Sequence, residues 1–238
     1  MDIIPAIDLR GGKCVRLLRG DYACETVYSE DPIEVAKNWE NLGATRIHVV
    51  DLDGARTGSP ENLDVVKFMA SIVSVPIQLG GGMREIKTIE DVISVGVDRV
   101  VLGTAALEKP NFVEDISSVI GPKSLVISLD SKDGYVYVRG WTESTKVRII
   151  DLATSMQDLG VCRFMYTDIA RDGTLTSPNF DVIKDLINRI DAQLIVAGGI
   201  TSTQHLIELS SIGVEAAVIG RALYTNDIDL KQAIRTIN

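Results

Sequence analysis

Two aspartates end two short apolar segments, one in each half of the 238-residue chain. The first segment, Ile3–Asp8, stops on Asp8, and the second, Leu125–Asp130, stops on Asp130 in the same way. Short apolar runs of this kind are typical of strands that are buried on both faces of a parallel sheet. Proteins with such sheets place their chemistry at the carboxyl ends of the strands. Each acid alone is an ordinary turn or helix cap, so the case for chemistry depends on the pair.

Paired carboxylates can perform acid–base chemistry in a partly dry cleft. One acts as general acid and the other as general base when their surroundings separate their pKa values. Thr167 ends another predicted strand, and its hydroxyl could hydrogen-bond a reacting group, although a β-branched residue is also simply common in strands. The sequence therefore predicts Asp8, Asp130 and Thr167 as catalytic residues.

Glycines follow four of the predicted strands, two in each half of the chain. Glycine lets the backbone approach a phosphate closely, and the amino terminus of the next helix supplies N–H donors. One such loop is weak evidence because glycine also serves tight turns, but two matching sets predict two phosphate sites. A substrate with a phosphate at each end would fit them. The predicted phosphate-binding residues are Gly81, Gly82, Gly103, Thr104, Gly198, Gly199, Gly220 and Arg221.

Other polar residues in loops are weaker candidates. Arg19 lies in the long connection 9–31, which we expect to act as a lid or binding loop, and Arg84 follows the glycines at 80–82. Either arginine could bind phosphate or carboxamide, although an exposed arginine is usually only solvated. Trp141 could stack on a flat heterocycle, and Asp172, Gly173 and Thr174 form a candidate ligand-binding turn. His48 lies within a predicted strand, where we expect a hydrogen-bonded core residue.

Apolar periodicity and turn signals predict eight strand–helix units, the count of a (β/α)₈ barrel of ordinary size. Asp31 and Pro32 have the residue types of a helix cap and first helical position, and residues 13–18 predict a small hairpin arm. Pro5 counts against a central strand because it cannot donate a ladder hydrogen bond. The predicted strands are 3–8, 46–51, 75–79, 98–102, 124–130, 162–168, 192–197 and 216–219. The predicted helices are 31–43, 61–72, 86–95, 111–120, 148–159, 180–190, 202–210 and 228–237.

An internal repeat relates the two halves of the chain. Gly81-Gly82 recurs 117 residues later as Gly198-Gly199, and at the same offset Asp51 matches Asp168. Because several strand–helix units match at nearly the same offset, the sequence predicts one barrel domain, residues 1–238. This domain would consist of two half-barrels at about 1–120 and 121–238. In such a barrel Asp8 and Asp130 face each other across the mouth.

Composition excludes several function classes. The net charge of −9 argues against nucleic acid as a partner, because that affinity comes from basic surface. Three cysteines without C-x-x-C spacing and two distant histidines predict free thiols and neither a disulfide framework nor a metal site. No apolar run approaches the ~20 residues that span a bilayer, and the first residues lack signal-peptide features. We expect a cytoplasmic monomer without membrane contact, cofactor or metal.

The chain resembles a known family, the phosphoribosylformimino-aminoimidazole carboxamide ribotide isomerases of histidine biosynthesis. The resemblance covers essentially the whole chain, and it is carried by residues 3–13, 48–55, 78–84, 166–169 and 171–174 together with the later glycines. It implies an Amadori rearrangement of an aminoaldose to an aminoketose, without metal or cofactor, on a substrate with two phosphoribosyl groups. It further implies that Asp8 is the general base at C2′, that Asp130 is the acid that opens the ribose ring, and that Thr167 assists. Arg19 and Trp141 would lie in the mobile loops that close over the substrate.

Two other functions, a bifunctional isomerase and a non-catalytic barrel, stay open at this level, and a third, a related cyclase, is disfavoured by the first strand. A bifunctional isomerase would also act on phosphoribosyl anthranilate, and nothing in the sequence separates the two. The related cyclase subunit usually has cysteine, leucine and aspartate where this chain has Ala6, Ile7 and Asp8, and it relies on a lysine after the first strand. A non-catalytic phosphosugar-binding barrel would require both acids to be incidental.

Overall fold

The computed structural model describes residues 1–237 of the chain. Over these residues the strands are β1 (Asp2–Arg10), β2 (Lys13–Leu18), β3 (Asp21–Ser29), β4 (Ile47–Asp51), β5 (Ile77–Gly80), β6 (Arg99–Leu102), β7 (Leu125–Lys132), β8 (Tyr135–Val138), β9 (Glu143–Arg148), β10 (Arg163–Asp168), β11 (Gln193–Ala197) and β12 (Ala216–Ile219). The α-helices are α1 (Pro32–Asn41), α2 (Leu52–Thr57), α3 (Leu63–Ile72), α4 (Ile86–Ser94), α5 (Thr104–Glu108), α6 (Pro110–Ile120), α7 (Ile149–Asp158), α8 (Phe180–Arg189), α9 (Thr203–Ser211), α10 (Arg221–Tyr224) and α11 (Leu230–Ile237). A 3₁₀ turn covers Pro122–Ser124.

Eight of these strands close into a parallel barrel, which confirms the predicted (β/α)₈ fold. Their order around the barrel is β1, β4, β5, β6, β7, β10, β11 and β12, and β12 pairs again with β1. Each neighbouring pair in this ring is parallel. Because all eight strands are parallel, their carboxyl ends surround one opening of the barrel, which we call the mouth.

Strand β1 shows how alternation divides the core into two layers. Ile4 and Ala6 belong to a small cluster inside the barrel, whereas Ile7 and Leu9 pack in the large cluster between strands and helices. Both sides are apolar, so β1 is buried on both faces, as the unbroken apolar run predicts. Pro5 nevertheless lies in a central strand, against the expectation. It forms the last pair of the β1–β12 ladder, with Ile219, where its missing N–H is easily tolerated.

The predicted helix start at Asp31 is confirmed. The Asp31 side chain accepts hydrogen bonds from the backbone N–H groups of Ile33 and Glu34, and Pro32 is the first helical residue. The predicted hairpin arm also forms, since β2 pairs antiparallel with both β1 and β3. The structure also contains elements that were not predicted: strand β3 within the connection 9–31, the β8–β9 hairpin and the short helices α2, α5 and α10.

Two strand-ending acids prove to be structural caps. The Asp51 carboxylate accepts hydrogen bonds from the backbone N–H groups of Gly54, Glu61 and Asn62 and from the Asn62 side chain, at 2.7–2.8 Å. Asp168 accepts from the Ala170 backbone and the Asn179 side chain. Both carboxylates are buried, and their hydrogen-bonding capacity is used within the fold.

No helix among residues 1–237 combines the length and apolar character needed to cross a membrane.

Candidate active site

A cavity of about 190 Å³ opens at the carboxyl ends of the barrel strands. A smaller cavity of about 40 Å³ adjoins it on the side of β11 and β12. Asp172 lines both cavities. Of the other predicted site residues, the large cavity is lined by Asp8, Gly81, Gly82, Arg84, Gly103, Thr104, Asp130, Trp141 and Thr167, and the small one by Gly173, Gly198, Gly199, Gly220 and Arg221.

Asp8 stands on β1 with its carboxylate paired to an arginine. In the sheet it is opposite Val15 of β2 and Val50 of β4. The Nη1 of Arg16 donates to its Oδ2 at 2.7 Å, and the two side chains are 11% and 13% exposed. Burial raises the pKa of Asp8 to about 6, although the charge of Arg16 opposes the rise. Asp8 is therefore mostly ionised at neutral pH and is more basic than an ordinary aspartate.

Asp130 stands on β7 among neutral hydrogen-bond donors. It is opposite Thr167 of β10 in the parallel register, and the Ser128 hydroxyl donates to its Oδ1 at 2.7 Å. Burial raises the pKa of Asp130, whereas hydrogen bonds from Ser128, Trp141 and Thr167 oppose the rise. Among the ion pairs of residues 1–237, none involves Asp130. The two mouth acids thus differ in whether a cation faces them.

Asp172 is a third carboxylate at the mouth. It follows β10, and its Oδ1 lies 4.0 Å from the Nη2 of Arg16. Burial raises the pKa of Asp172, Arg16 lowers it and Asp130 raises it. The Arg16 guanidinium therefore pairs with both Asp8 and Asp172, whereas no ion pair of residues 1–237 involves Asp130.

Arg16 is the main functional candidate that the sequence reasoning missed. It lines both cavities, and its Nη2 lies so close to Gly220 that a Cβ there would meet it at 1.8 Å. Its Nε is buried without a hydrogen-bond partner among the described residues. A signal existed in the sequence, because a charged residue interrupts the buried run of Cys14, Val15 and Leu17.

The first glycine set surrounds one end of the large cavity. Gly81 and Gly82 have left-handed φ values of 106° and 78°, and a Cβ on Gly82 would lie 2.6 Å from the backbone nitrogen of Pro60. Helix α5 begins at Thr104, directly after Gly103. The Thr104 hydroxyl accepts a hydrogen bond from the Arg139 backbone at 2.8 Å, which ties the β8–β9 hairpin to this end of the cavity.

The second glycine set forms the small cavity. Gly198 and Gly199 have φ values of 87° and 77°, and a Cβ on Gly199 would lie 2.4 Å from the carbonyl oxygen of Ser177. Helix α10 begins at Arg221, after Gly220. Arg221 donates to the carbonyl oxygen of Gly173 at 2.6 Å, so the turn after β10 forms one wall of this cavity. We refer to Gly198, Gly199, Gly220 and Arg221 as the second cradle.

The two predicted loop residues lie in different places. The ring of Trp141 packs against Gly20, where a Cβ would meet its Cε3 at 2.4 Å, so the loop after β2 meets the β8–β9 hairpin over the cavity. Arg19 is exposed in the turn between β2 and β3, with φ of 54°, and lies outside the lining of both cavities. Thr174 lies outside them too, because its hydroxyl closes the turn by donating to the Arg171 carbonyl at 2.7 Å.

His48 is buried and hydrogen-bonded, as expected. Its Nδ1 lies 3.0 Å from the Nε2 of Gln78, and burial, together with the charge of Arg16, lowers its pKa to about 3. It also lines the large cavity, where a neutral imidazole can hydrogen-bond a substrate hydroxyl. Across residues 1–237, His, Cys, Asp and Glu side chains are not grouped in threes as metal ligands would be.

Comparison with known proteins places this geometry in context. Residues 2–229 match the family described as histidine biosynthesis protein. Three relatives are each described as 1-(5-phosphoribosyl)-5-((5-phosphoribosylamino)methylideneamino)imidazole-4-carboxamide isomerase. The protein from Dehalococcoides mccartyi is 49% identical over all of both chains. The protein from Chloroflexus aggregans is 46% identical over 98% of this chain and 97% of its own. The protein from Crocosphaera subtropica is 44% identical over 100% of this chain and 93% of its own.

Proposed function

The chain belongs to the histidine biosynthesis protein family, and we propose that it isomerises the bis-phosphoribosyl imidazole carboxamide of that pathway with Asp8 and Asp130 as its proton-transfer groups. The resemblance seen in the sequence agrees with the full-length relatives, which carry the isomerase name. That name contains two phosphoribosyl groups, and two glycine-rich sites flank the mouth. We propose that each site binds one phosphate through backbone N–H groups and a helix start.

The different surroundings of the two acids carry this proposal. Arg16 pairs with Asp8, which favours the carboxylate and suits a base. Burial favours the protonated form of Asp130, which suits an acid; no ion pair from residues 1–237 opposes it, although hydrogen bonds from neutral donors do. Titratable groups whose surroundings separate their pKa values divide the roles in this way.

The reaction then proceeds in three proton-transfer stages. Asp130 protonates the ribose ring oxygen as the C1′–O bond breaks, which opens the ring and leaves a protonated Schiff base. Asp8 removes the C2′ proton, the electron pair of that C–H bond forms C1′=C2′, and the iminium nitrogen becomes a neutral enamine. In the resulting enol, C1′ takes up a proton and the C2′ hydroxyl releases one, which gives the C2′ ketone. The Thr167 hydroxyl, opposite Asp130 in the sheet, assists by hydrogen-bonding the opening oxygen.

Replacing either acid with asparagine tests the assignment. Because each proton transfer contributes about 10²–10⁴-fold, we expect Asp8→Asn and Asp130→Asn each to lower kcat by that factor while the circular dichroism spectrum is kept. Asp133→Asn is a matched control, because this exposed residue lies in the β7–β8 turn, and asparagine tolerates its φ of 56°. Near-wild-type turnover in either mouth variant would contradict the proposal and would favour an incidental role of the acids.

Substrate range is tested by an assay of the purified protein on two compounds. We propose that the histidine-pathway aminoaldose is its single substrate. Turnover of phosphoribosyl anthranilate at a comparable kcat/KM would replace this proposal with the bifunctional one.

We further propose that residues 1–238 are one domain of two half-barrels, about 1–120 and 121–238. Two ion pairs at the amino ends of the strands support this: Arg46–Asp98 at 2.5 Å and, 117 residues later in both members, Arg163–Glu215 at 2.8 Å. The close contact of Gly82 with Pro60 likewise recurs 117 residues later as the contact of Gly199 with Ser177. Expression of each half alone, followed by measurement of its secondary structure, tests the proposal.

We also propose that the protein works as a monomer in the cytoplasm. The barrel closes its own sheet, so its strands need no partner chain, and Cys14, Cys24 and Cys162 are free thiols, as in a reducing compartment. Light scattering on the purified protein would reveal an oligomer.

A further inference from the structure

The tyrosine hydroxyl of Tyr224 connects three parts of the site. Tyr224 is the last residue of α10, the helix that begins at the second cradle. Its hydroxyl donates to the carbonyl oxygen of Ala6 on β1 at 2.9 Å, and it lies 3.1 Å from the Sγ of Cys14 on β2. Ala6 is two residues before Asp8 on β1, and Cys14 is two residues before Arg16 on β2.

The bond to Ala6 lies just beyond the end of the β1–β12 ladder, although Ala6 is still paired with His48 of β4 on its other side. The β1–β12 ladder ends with the pair of Pro5 and Ile219, and the next residue of β1 is Ala6, which is 2% exposed. A buried carbonyl without a donor is costly. The Tyr224 hydroxyl therefore extends the ladder beyond its last backbone pair, directly beside the strand segment that carries the base.

The other half of the barrel places a hydroxyl beside its acid in a different way. Counted from the paired acids, Ser128 holds the place before Asp130 that Ala6 holds before Asp8, and the Ser128 hydroxyl donates to Asp130 directly. Alanine cannot do so. In the short helix after the other glycine set, Leu107 holds the place of Tyr224. The tyrosine thus occurs only in the half where the acid lacks a neighbouring hydroxyl of its own strand.

We propose that Tyr224 is a positioning residue that fixes the distance between the second cradle and the carboxylate of Asp8. This inference rests on the proposed function, in which the cradle binds a substrate phosphate and Asp8 removes the C2′ proton. The phosphate would bind at the first residue of α10, and the Tyr224 hydroxyl at the last residue holds β1. The hydroxyl therefore determines the distance from the bound phosphate to the Asp8 carboxylate. Misplacement of a reacting group by about 1 Å can cost about 100-fold in rate.

The variant Tyr224→Phe tests the proposal because it removes one oxygen and keeps the ring. The ring still packs against Tyr28 and Trp39, whose centroids lie at 4.7 and 5.5 Å. We expect kcat to fall by about 10–100-fold while KM stays within about twofold, since the phosphate contacts are unchanged. Tyr28→Phe is the matched control, because Tyr28 shares the ring packing but has no bond to Ala6, and we expect its kcat near wild type.

A deuterium isotope effect at C2′ gives a second readout. It is a ratio of two rates on one sample, so it does not depend on the fraction of folded enzyme. We expect it to rise in Tyr224→Phe, because a misplaced base makes proton removal more nearly rate-limiting. An unchanged kcat and isotope effect would overturn the proposal, as would an equal loss of kcat in Tyr28→Phe.

Two further outcomes separate this inference from the proposed function. A rise in KM alone in Tyr224→Phe would overturn the inference, since the hydroxyl would then serve the cradle and not the base. If Asp8→Asn keeps wild-type turnover, the proposed function itself fails. If Asp8→Asn is inactive and Tyr224→Phe is unaffected, only the role of Tyr224 fails.

Discussion

The ion pair between Arg16 and Asp8 makes the proposed base testable through its pH dependence. In the substitution Arg16→Met, an apolar side chain of similar length replaces the guanidinium that donates to Asp8 at 2.7 Å. Burial and the charge of Asp172 then both raise the pKa of the carboxyl group, without the opposing guanidinium. We therefore expect the pKa of Asp8 to rise further above its value of about 6.

The size of the rise follows from Coulomb's law. Two charges about 4 Å apart interact by about 4 kcal/mol at an effective dielectric constant of about 20, and about 1.4 kcal/mol corresponds to one pH unit. Both side chains are less than one-seventh exposed, so solvent screening is limited. Opposite charges at such distances move a carboxyl pKa by about 1–3 in proteins. The pKa of Asp8 in Arg16→Met is thus expected between about 7 and 9.

The acidic limb of the kcat/KM profile measures this pKa, because kcat/KM reports the free enzyme. A base works only when ionised, so activity falls as pH drops through the pKa of Asp8. In the wild type the limb should lie near pH 6, and in Arg16→Met it should move to higher pH, so that activity lost at neutral pH returns in alkaline buffer. The position of the limb does not depend on any loss of phosphate binding.

Arg84→Met is the control for this experiment. Arg84 also lines the large cavity, but the charged neighbours that act on Asp8 are Arg16 and Asp172. Its limb should stay near pH 6. A limb that stays in place or moves to lower pH in Arg16→Met would refute the reasoning that Arg16 holds Asp8 ionised.

Three further predictions concern the frame of the site. Gly199→Ala should lower the free energy of unfolding in urea by more than about 1 kcal/mol, because its Cβ would lie 2.4 Å from the Ser177 carbonyl oxygen. Gly160 has a similar φ but nothing within 4 Å of its Cβ position, so the control Gly160→Ala should lower this free energy clearly less. Equal losses in the two variants would contradict the steric argument. Asp51→Asn should lower the same free energy by about 1–3 kcal/mol, since the buried acid accepts backbone hydrogen bonds from Gly54, Glu61 and Asn62; a stability equal to the wild type would show that these bonds contribute nothing. In Trp39→Phe, which leaves Trp141 as the single tryptophan, substrate should change the fluorescence, because Trp141 lines the cavity; an unchanged spectrum at saturation would place the substrate elsewhere.

Local sequence signals were enough to predict the barrel strands, the main helices and the glycines that follow the strands. Buried parallel strands are short apolar runs bounded by glycine, and eight of them alternate with amphipathic helices, so strand and helix positions agree with the structure to within two or three residues. The repeat at 117 residues needs only a comparison of the chain with itself. The β8–β9 hairpin was missed because β8 has only four residues, although tyrosine and valine alternate in it, and because β9 is polar and partly exposed.

The sequence alone determined that two acids end equivalent strands, but it could not distinguish Asp8 and Asp130 from Asp51 and Asp168. All four follow apolar strands, and only the folded chain shows that backbone donors use the carboxylate of Asp51. The β1–β2 hairpin brings Arg16 to Asp8, but only closure of the barrel brings Asp172, which is 164 residues from Asp8, to the same guanidinium. The same closure sets Tyr224 against Ala6. Surroundings decide a pKa, and those surroundings come from residues that are distant in sequence and become neighbours only through tertiary packing.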